Sequence, residues 1–100
     1  MVKHVILWKL KDGLPDVGAI KAGIKEGLEG LRGKIPGLLA ITVQTEPLGS
    51  SNTDVMLDAA FEDETALRKY AVHPAHVTIA ETCVRPFTQT RMCMDFVAEA

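Results

Sequence analysis

Apolar and polar side chains alternate over the first ten residues of the chain. One face of this segment is mostly apolar and carries Val2, His4, Ile6, Trp8 and Leu10. The opposite face carries lysines among its apolar residues. A period of two with β-branched side chains predicts a β-strand over residues 2–11.

The next apolar positions recur at steps of three and four, as on one face of a helix: Val17, Ile20, Ile24, Leu28 and Leu31. We predict a helix over residues 16–33. The segment contains five glycines, and each costs about 1 kcal/mol relative to alanine inside a helix. Tertiary packing must therefore stabilise this helix, unless the glycines serve a close backbone approach or leave space for a ligand.

In the rest of the chain, segments with the period of a strand again alternate with segments that have the period of a helix. Strands are predicted at 38–47 and 54–61, a helix at 64–72 with Asp63 as its cap, a further helical segment at 74–83, and a last strand at 87–97. The order β-α-β-β-α-β, with the second helix in two pieces, predicts a ferredoxin-like α+β fold. Such a fold has an antiparallel sheet with helices on one face.

The length and the last strand together predict a homodimer. One hundred residues fit a single domain, residues 1–100, and bury a modest fraction of their surface. In the last strand one face is apolar (Met92, Met94 and Phe96) and the other is more polar (Arg91, Cys93 and Asp95). Two apolar sheet faces packed against each other would cover the side of the sheet that the helices leave open.

Charge and cysteine content exclude several classes of partner. The net charge is −2 and the basic residues are scattered, so we expect neither nucleic acid nor a membrane surface as a partner. No apolar run approaches the roughly 20 residues of a membrane-spanning helix. The two cysteines lie outside any CxxC pair, which indicates reduced, mostly structural thiols in the cytoplasm.

The segment YAVHPAH, residues 70–76, contains the chain's one tyrosine and two of its three histidines. It has a purely structural interpretation as the joint between two helices. Pro74 would then open the second helix at its first position, His73 would act as a cap, and His76 would be a partly exposed helical residue.

The same segment also has a catalytic interpretation. His76 would be the third residue of its helix, where the positive end of the helix dipole disfavours the imidazolium form and leaves a neutral base. Tyr70 supplies a hydroxyl, and His4 lies on an apolar strand face where it needs a partner. Together they can take a proton next to a carbonyl and stabilise the resulting enolate.

A metal site is the less favoured alternative for these histidines. His73 and His76 are three residues apart, and His4 or Asp54 would have to complete the ligand set. Pro74 places His73 outside the helix, so the two imidazoles need not face the same way. We therefore predict no metal and no cofactor.

Four stretches, VKHVILWKLKD, IPGL, YAVHPAH and MDF, resemble the stress-responsive A/B barrel (Dabb) family over essentially the whole chain. The resemblance implies a dimeric α/β barrel of two ferredoxin-like subunits packed sheet to sheet. In the polyketide cyclases of this family, the catalytic pair matches Tyr70 and His76. The pocket histidine of their first strand matches His4, and the first histidine of their HPAH motif matches His73. Those enzymes perform a cofactor-free aldol condensation in which His takes the proton and Tyr holds the oxyanion.

The chain also departs from those cyclases in the walls of the pocket. A histidine of their third strand is replaced near Asp54, and aromatic residues of their first helix are missing. Trp8 occupies a position where those cyclases have a smaller residue, and Arg91 occupies a position where an apolar lining residue is expected. We expect a substrate-binding set of His4, Ile6, Trp8, His73 and Arg91. Arg91 beside Trp8 points to a ligand smaller than a long-chain polyketide and suits an anionic one.

The resemblance also suggests a position for a cation, because some plant relatives bind magnesium through backbone carbonyls at the end of the first helix. The matching carbonyls are near Arg32, Ile35 and Leu38.

Three functional hypotheses follow from the sequence. The first is a cofactor-independent cyclase or isomerase with His76 as base and Tyr70 as oxyanion partner. The second is a non-catalytic dimer that binds a small ligand or protects under stress. The third is a haem- or metal-handling dimer of similar fold.

Overall fold

The computed structural model, which describes residues 1–99, contains four antiparallel strands. They are β1 (Val2–Leu10), β2 (Leu38–Gln44), β3 (Val55–Phe61) and β4 (Thr88–Val97). The strand order across the sheet is β2-β3-β1-β4, so the first and last strands are neighbours. This arrangement confirms the predicted ferredoxin-like α+β fold.

Three α-helices connect the strands: α1 (Val17–Glu29), α2 (Glu64–Val72) and α3 (Pro74–Ile79). Asp16 and Asp63 begin the first two helices, because each carboxylate accepts a hydrogen bond from a backbone N–H in the first turn, at 3.1 Å and 2.8 Å. Among the described residues, no helix is long and apolar enough to cross a lipid bilayer.

Several predicted boundaries are corrected. The first helix ends at Glu29, and turns occupy the predicted remainder up to Gly33, which has a positive φ of 79°. The second strand ends at Gln44, three residues before Pro47. The last helical segment is α-helical only to Ile79. It continues as a π-helical turn (Ala80–Val84) and a 3-10 turn (Arg85–Phe87).

The core lies between the helices and one face of the sheet. Its fully buried side chains come from both layers: Ile24, Leu28, Ile41, Val43, Leu57, Phe61 and Tyr70. The apolar face predicted for β1 belongs to this layer, since every second residue of β1 is buried, beginning with Val2. Alternation along the strand thus sets which side of the sheet the helices cover.

Two glycines permit close contacts that a side chain would prevent. A Cβ atom on Gly27 would lie 2.9 Å from Ile79 Cγ2, so α1 approaches α3 closely at this point. Gly37 has a φ of 83°, and a Cβ there would lie 2.5 Å from the Cβ of Ala66. Packing between elements therefore explains these two glycines.

The opposite face of the sheet remains open along β4. Met92, Met94 and Phe96 are 65%, 67% and 43% exposed. They lie across from Leu7, Val5 and Lys3 of β1. An open face of this composition is typical of a surface that packs against another protein.

Candidate functional site

A cavity of about 680 Å³ lies between α2, α3 and the β1–β4 edge of the sheet. Its walls combine apolar, basic and acidic side chains: Val2, His4, Glu64, Leu67, Arg68, Tyr70, Ala71, His76, Arg91, Cys93, Asp95, Phe96 and Val97. Four of the seven residues proposed from the sequence are among them. These are His4, Tyr70, His76 and Arg91.

The cavity exists because β4 is left uncovered on the helical side. On this side of the sheet the β4 residues Arg91, Cys93 and Asp95 are exposed, whereas the β1 residues opposite them are buried. Asp95 is paired directly with His4, and Arg91 with Trp8. Residues that are directly opposite in antiparallel strands project from the same face of the sheet. The polar row of β4 therefore forms one wall of the cavity.

Tyr70 of α2 is a wall residue with an unpartnered hydroxyl. The residue is 2% exposed, and its ring packs edge-on against Phe61 with a centroid distance of 4.9 Å. Among the described residues, no hydrogen-bond partner reaches its hydroxyl group. Burial raises the pKa of the phenol well above its usual range. Tyr70 is therefore a neutral hydrogen-bond donor at the cavity.

His76 of α3 packs on Tyr70, with ring centroids 4.1 Å apart and planes inclined by 31°. Its Nδ1 lies 3.3 Å from the carbonyl oxygen of Ala71. A carbonyl only accepts, so Nδ1 carries the proton and donates, which leaves the lone pair of the neutral ring on Nε2. Burial is the main cause that lowers the pKa of His76 below its ordinary value.

The expected direction of this pKa shift is confirmed, but its main cause differs from the one inferred from the sequence. We expected the helix end to disfavour the imidazolium form, whereas desolvation contributes most. The positive charges of Arg85 and Arg91 act in the same direction. His76 is therefore a neutral base at neutral pH.

His73 lies at the joint between α2 and α3 and is outside the cavity lining. Its Nδ1 accepts a hydrogen bond from the backbone N–H of Ala75 at 3.1 Å, and it caps α3. Pro74 follows at the first helical position, where its missing N–H is not needed. The structure thus gives this histidine the capping role that the sequence left as an alternative.

Ile6 and Trp8 are also outside the cavity lining, although they share a strand face with His4. Both are 4% exposed and belong to the hydrophobic core. They are buried because other core residues pack over this part of β1, whereas only Val2 and His4 of β1 line the cavity. The structure does not bring Ile6 and Trp8 together with Tyr70 and His76 in the cavity.

Cys93 and Asp95 were not proposed from the sequence, yet both stand beside His4 in the cavity wall. The His4 Nδ1–H donates to the Asp95 carboxylate, and the Cys93 sulfur lies 3.6 Å from the same nitrogen. Burial and the neighbouring carboxylate raise the pKa of the Cys93 thiol. The polar row of β4 was the available signal, but only the strand register shows that it faces His4.

The carbonyls near Arg32, Ile35 and Leu38 lie in and after the turn that follows α1. The Ile35 carbonyl accepts a hydrogen bond from the N–H of Leu38 at 3.2 Å. A carbonyl oxygen has two lone pairs, so one remains for a cation at this position.

The sheet order, the split second helix and the cavity against the last strand define a ferredoxin-like α+β protein with a pocket of small-molecule size. The model of the stress-responsive A/B barrel domain (Dabb) matches residues 2–98. The chain therefore belongs to the stress-responsive A/B barrel family, which confirms the resemblance found in its sequence motifs.

Individual relatives agree with this assignment. An uncharacterized protein of Streptomyces coelicolor is 33% identical over an alignment of 81 positions that covers 76% of this chain and 79% of that protein. A dimeric protein of unknown function and ferredoxin-like fold from Bacteroides fragilis is 28% identical, with a TM-score of 0.87 over 95% of this chain and 93% of that chain.

Enzymes occur among proteins of the same fold. SnoaB, a cofactor-independent oxygenase from Streptomyces nogalater, is 19% identical, with a TM-score of 0.74 over 99% of this chain and 93% of that chain. At this identity the similarity shows the fold alone.

Tyr70→Phe should not destabilise the protein. An unpaired buried hydroxyl costs about 1–3 kcal/mol, so we expect the free energy of unfolding to stay the same or rise by about 1 kcal/mol. The melting temperature would then rise by up to roughly 4–8 °C. Thermal unfolding at one fixed protein concentration measures this.

Asp63→Ala serves as the control for Tyr70→Phe, because its carboxylate has a defined partner in Ala66. Loss of this cap should lower the free energy of unfolding by about 1 kcal/mol. If Tyr70→Phe instead loses as much stability as Asp63→Ala, the Tyr70 hydroxyl has a hydrogen-bond partner in the folded protein.

Proposed function

We propose that the chain forms a homodimer in which each subunit binds a small carbonyl compound in the cavity beside β4. In this proposal His76 removes a proton from the carbon next to the carbonyl, and Tyr70 donates a hydrogen bond to the oxyanion that develops. The reaction class is that of a cyclase or isomerase, and the step needs no cofactor.

The observation that carries the proposal is the contact between Tyr70 and His76. A buried hydroxyl without a partner is rare in folded proteins, and this one belongs to a wall residue of a cavity. The ring stacked on it is a histidine whose Nδ1 is engaged and whose pKa is lowered. A hydrogen-bond donor and a base therefore lie side by side. Neither the Tyr70 hydroxyl nor His76 Nε2 has a hydrogen-bond partner among the described residues, so both are available to a substrate.

The proposed step balances without an added reactant. His76 Nε2 accepts the proton, the electrons of the C–H bond move into the carbonyl, and Tyr70 stabilises the enolate oxygen through its O–H. The enolate then either attacks a second carbonyl of the same molecule, whose oxygen takes the proton back from the imidazolium, or is reprotonated on carbon by the imidazolium. A positioned base of this kind contributes typically about 10²–10⁴-fold to the rate.

Arg91 suggests that the ligand carries a negative charge. Of the two arginines that line the cavity, Arg68 lies 3.5 Å from the carboxylate of Glu64. Within residues 1–99, no carboxylate lies within ion-pair distance of Arg91. A guanidinium binds a carboxylate well through two parallel hydrogen bonds. We therefore propose small oxo acids as the substrate class, with Arg91 and His4 as binding residues.

A proton-exchange assay tests the reaction. Pyruvate, acetoacetate and levulinate are incubated with the protein in D₂O, and exchange of carbon-bound protons for deuterium is followed by ¹H NMR. His76→Gln should lower kcat/KM for exchange by about 10²–10⁴-fold. Arg91→Gln should raise KM for the acids and leave that for their methyl esters unchanged. Lys69→Gln, an exposed position of α2, is the control.

The pH profile gives a second readout from the same assay. A base acts when it is neutral, and the pKa of His76 is lowered from 6.5. Thus kcat/KM should be maximal at neutral pH and fall only as the pH drops through an apparent pKa below 6.5.

Exchange that is unchanged in His76→Gln would refute the role of His76. If the acids raise the melting temperature but none exchanges, the chain is a ligand-binding dimer without turnover.

The open sheet face supports the dimer. Its apolar row on β4 is 43–67% exposed in the single chain, and the Bacteroides fragilis relative is dimeric. Packing two such faces together would remove this apolar surface from water. The polar row of β4 that lines the cavity lies on the other side of the sheet. We also propose that the chain acts in the cytoplasm, because both cysteines are free thiols.

Met94→Glu should convert the dimer to a monomer, since it places two like charges in the apolar contact. Val72→Glu is the matched control, because Val72 is a 76% exposed apolar residue of α2 on the other side of the sheet. Sedimentation velocity should give a dimer for wild type and control. A monomeric wild type, or a Met94→Glu variant that remains dimeric, would contradict the proposed interface.

A further inference from the structure

Three metal-ligating atoms meet at one point of the cavity wall. They are His4 Nδ1, Cys93 Sγ and Asp95 Oδ1, and all lie within 4.8 Å of one another. The register brings them together, because Asp95 is paired with His4 and Cys93 with the next residue on the same face, Ile6. All three residues line the cavity.

This cluster is not a catalytic triad. In such a triad the nucleophile and the carboxylate contact opposite nitrogens of the imidazole, so that a proton can pass from one side of the ring to the other. Here both the thiol of Cys93 and the carboxylate of Asp95 approach Nδ1 of His4. This geometry excludes proton transfer through the imidazole ring. Three ligand atoms that point to one position are instead the arrangement that binds a metal ion.

The two separations that involve the Cys93 sulfur match those of a tetrahedral zinc ion. Bond lengths of about 2.3 Å to sulfur and about 2.0–2.1 Å to nitrogen and oxygen, at tetrahedral angles, separate the sulfur from either atom by about 3.5–3.6 Å. In the protein, Cys93 Sγ lies 3.6 Å from His4 Nδ1 and 3.5 Å from Asp95 Oδ1. The His4–Asp95 hydrogen bond is closer and would give way to the metal.

We propose that His4, Cys93 and Asp95 bind one Zn²⁺ ion, with the fourth coordination position facing the cavity. Imidazole, thiolate and carboxylate together suit zinc, whereas magnesium and calcium prefer oxygen ligands alone. Three protein ligands and one open position are the pattern of catalytic zinc sites. On binding, the Cys93 thiol releases its proton to solvent. The proton of the neutral His4 ring moves from Nδ1, where it is donated to Asp95, to Nε2, which leaves the Nδ1 lone pair for the metal.

The zinc site does not depend on the reaction proposed for Tyr70 and His76. It uses Cys93 and Asp95 of β4 with His4 of β1. Of these three, only His4 also belongs to the proposed substrate-binding residues, and the test of the zinc site needs no substrate. A metal at this position would add a Lewis acid to the cavity, where a water or an oxygen atom of a bound ligand could occupy the fourth position.

Titration of the untagged, reduced protein with Co²⁺ as a spectroscopic substitute for zinc tests the site. We expect one Co²⁺ per chain, a near-ultraviolet thiolate-to-cobalt charge-transfer band, and loss of that band when Zn²⁺ is added. Cys93→Ser should abolish the band. Cys83→Ser is the matched control, because it removes the other free cysteine and leaves the cluster intact.

His4→Gln and Asp95→Asn should each weaken Co²⁺ binding at least tenfold without abolishing the thiolate band at saturation. Absence of stoichiometric binding, or a band that persists in Cys93→Ser, would overturn the proposal. A second measurement needs no variant. Zn²⁺ should protect Cys93 of the wild type from alkylation while Cys83 reacts at an unchanged rate, as followed by mass spectrometry, and equal labelling of Cys93 with and without Zn²⁺ would also refute the site.

Discussion

The antiparallel pairing of β1 with β4 is the contact on which the cavity, the donor cluster and the open face all depend. It runs from Val2 opposite Val97 to Trp8 opposite Arg91 and beyond. Because successive strand residues face opposite sides, this register puts the polar row of β4 beside His4 and the methionines on the other face. A slip of one residue would exchange the two rows, and all three features would be lost together.

The joint between α2 and α3 is both structural and functional. His73 and Pro74 end one helix and begin the next. The change of direction places the His76 ring against Tyr70. The structural and catalytic interpretations of YAVHPAH thus apply to different residues of one segment. An unpaired hydroxyl kept in the core of a small domain has an energetic cost, which is expected where a polar group is retained for a ligand.

The sequence predicts the elements and their faces well, because periodicity reports directly on which residues are buried. It placed His4, Ile6 and Trp8 on one face correctly, but it could not show that helices cover Ile6 and Trp8 while leaving His4 beside a cavity. That distinction depends on how far the helical layer covers β1, which no local pattern encodes. For a related reason, the sequence did not predict that Cys93 lies beside His4. The two residues are 89 positions apart, and their contact follows from the register of the strands and not from a local pattern.

The protonation state of His76 is the property on which the proposed reaction depends, because proton removal requires a neutral base beside Tyr70. Long-range ¹H–¹⁵N correlation spectra of the ¹⁵N-labelled protein, assigned with His76→Gln, report on both ring nitrogens as the pH is varied. We predict a proton on Nδ1, a free lone pair on Nε2 at neutral pH, and a pKa below 6.5. A proton on Nε2 at neutral pH, or a pKa at or above 6.5, would rule out His76 as the base.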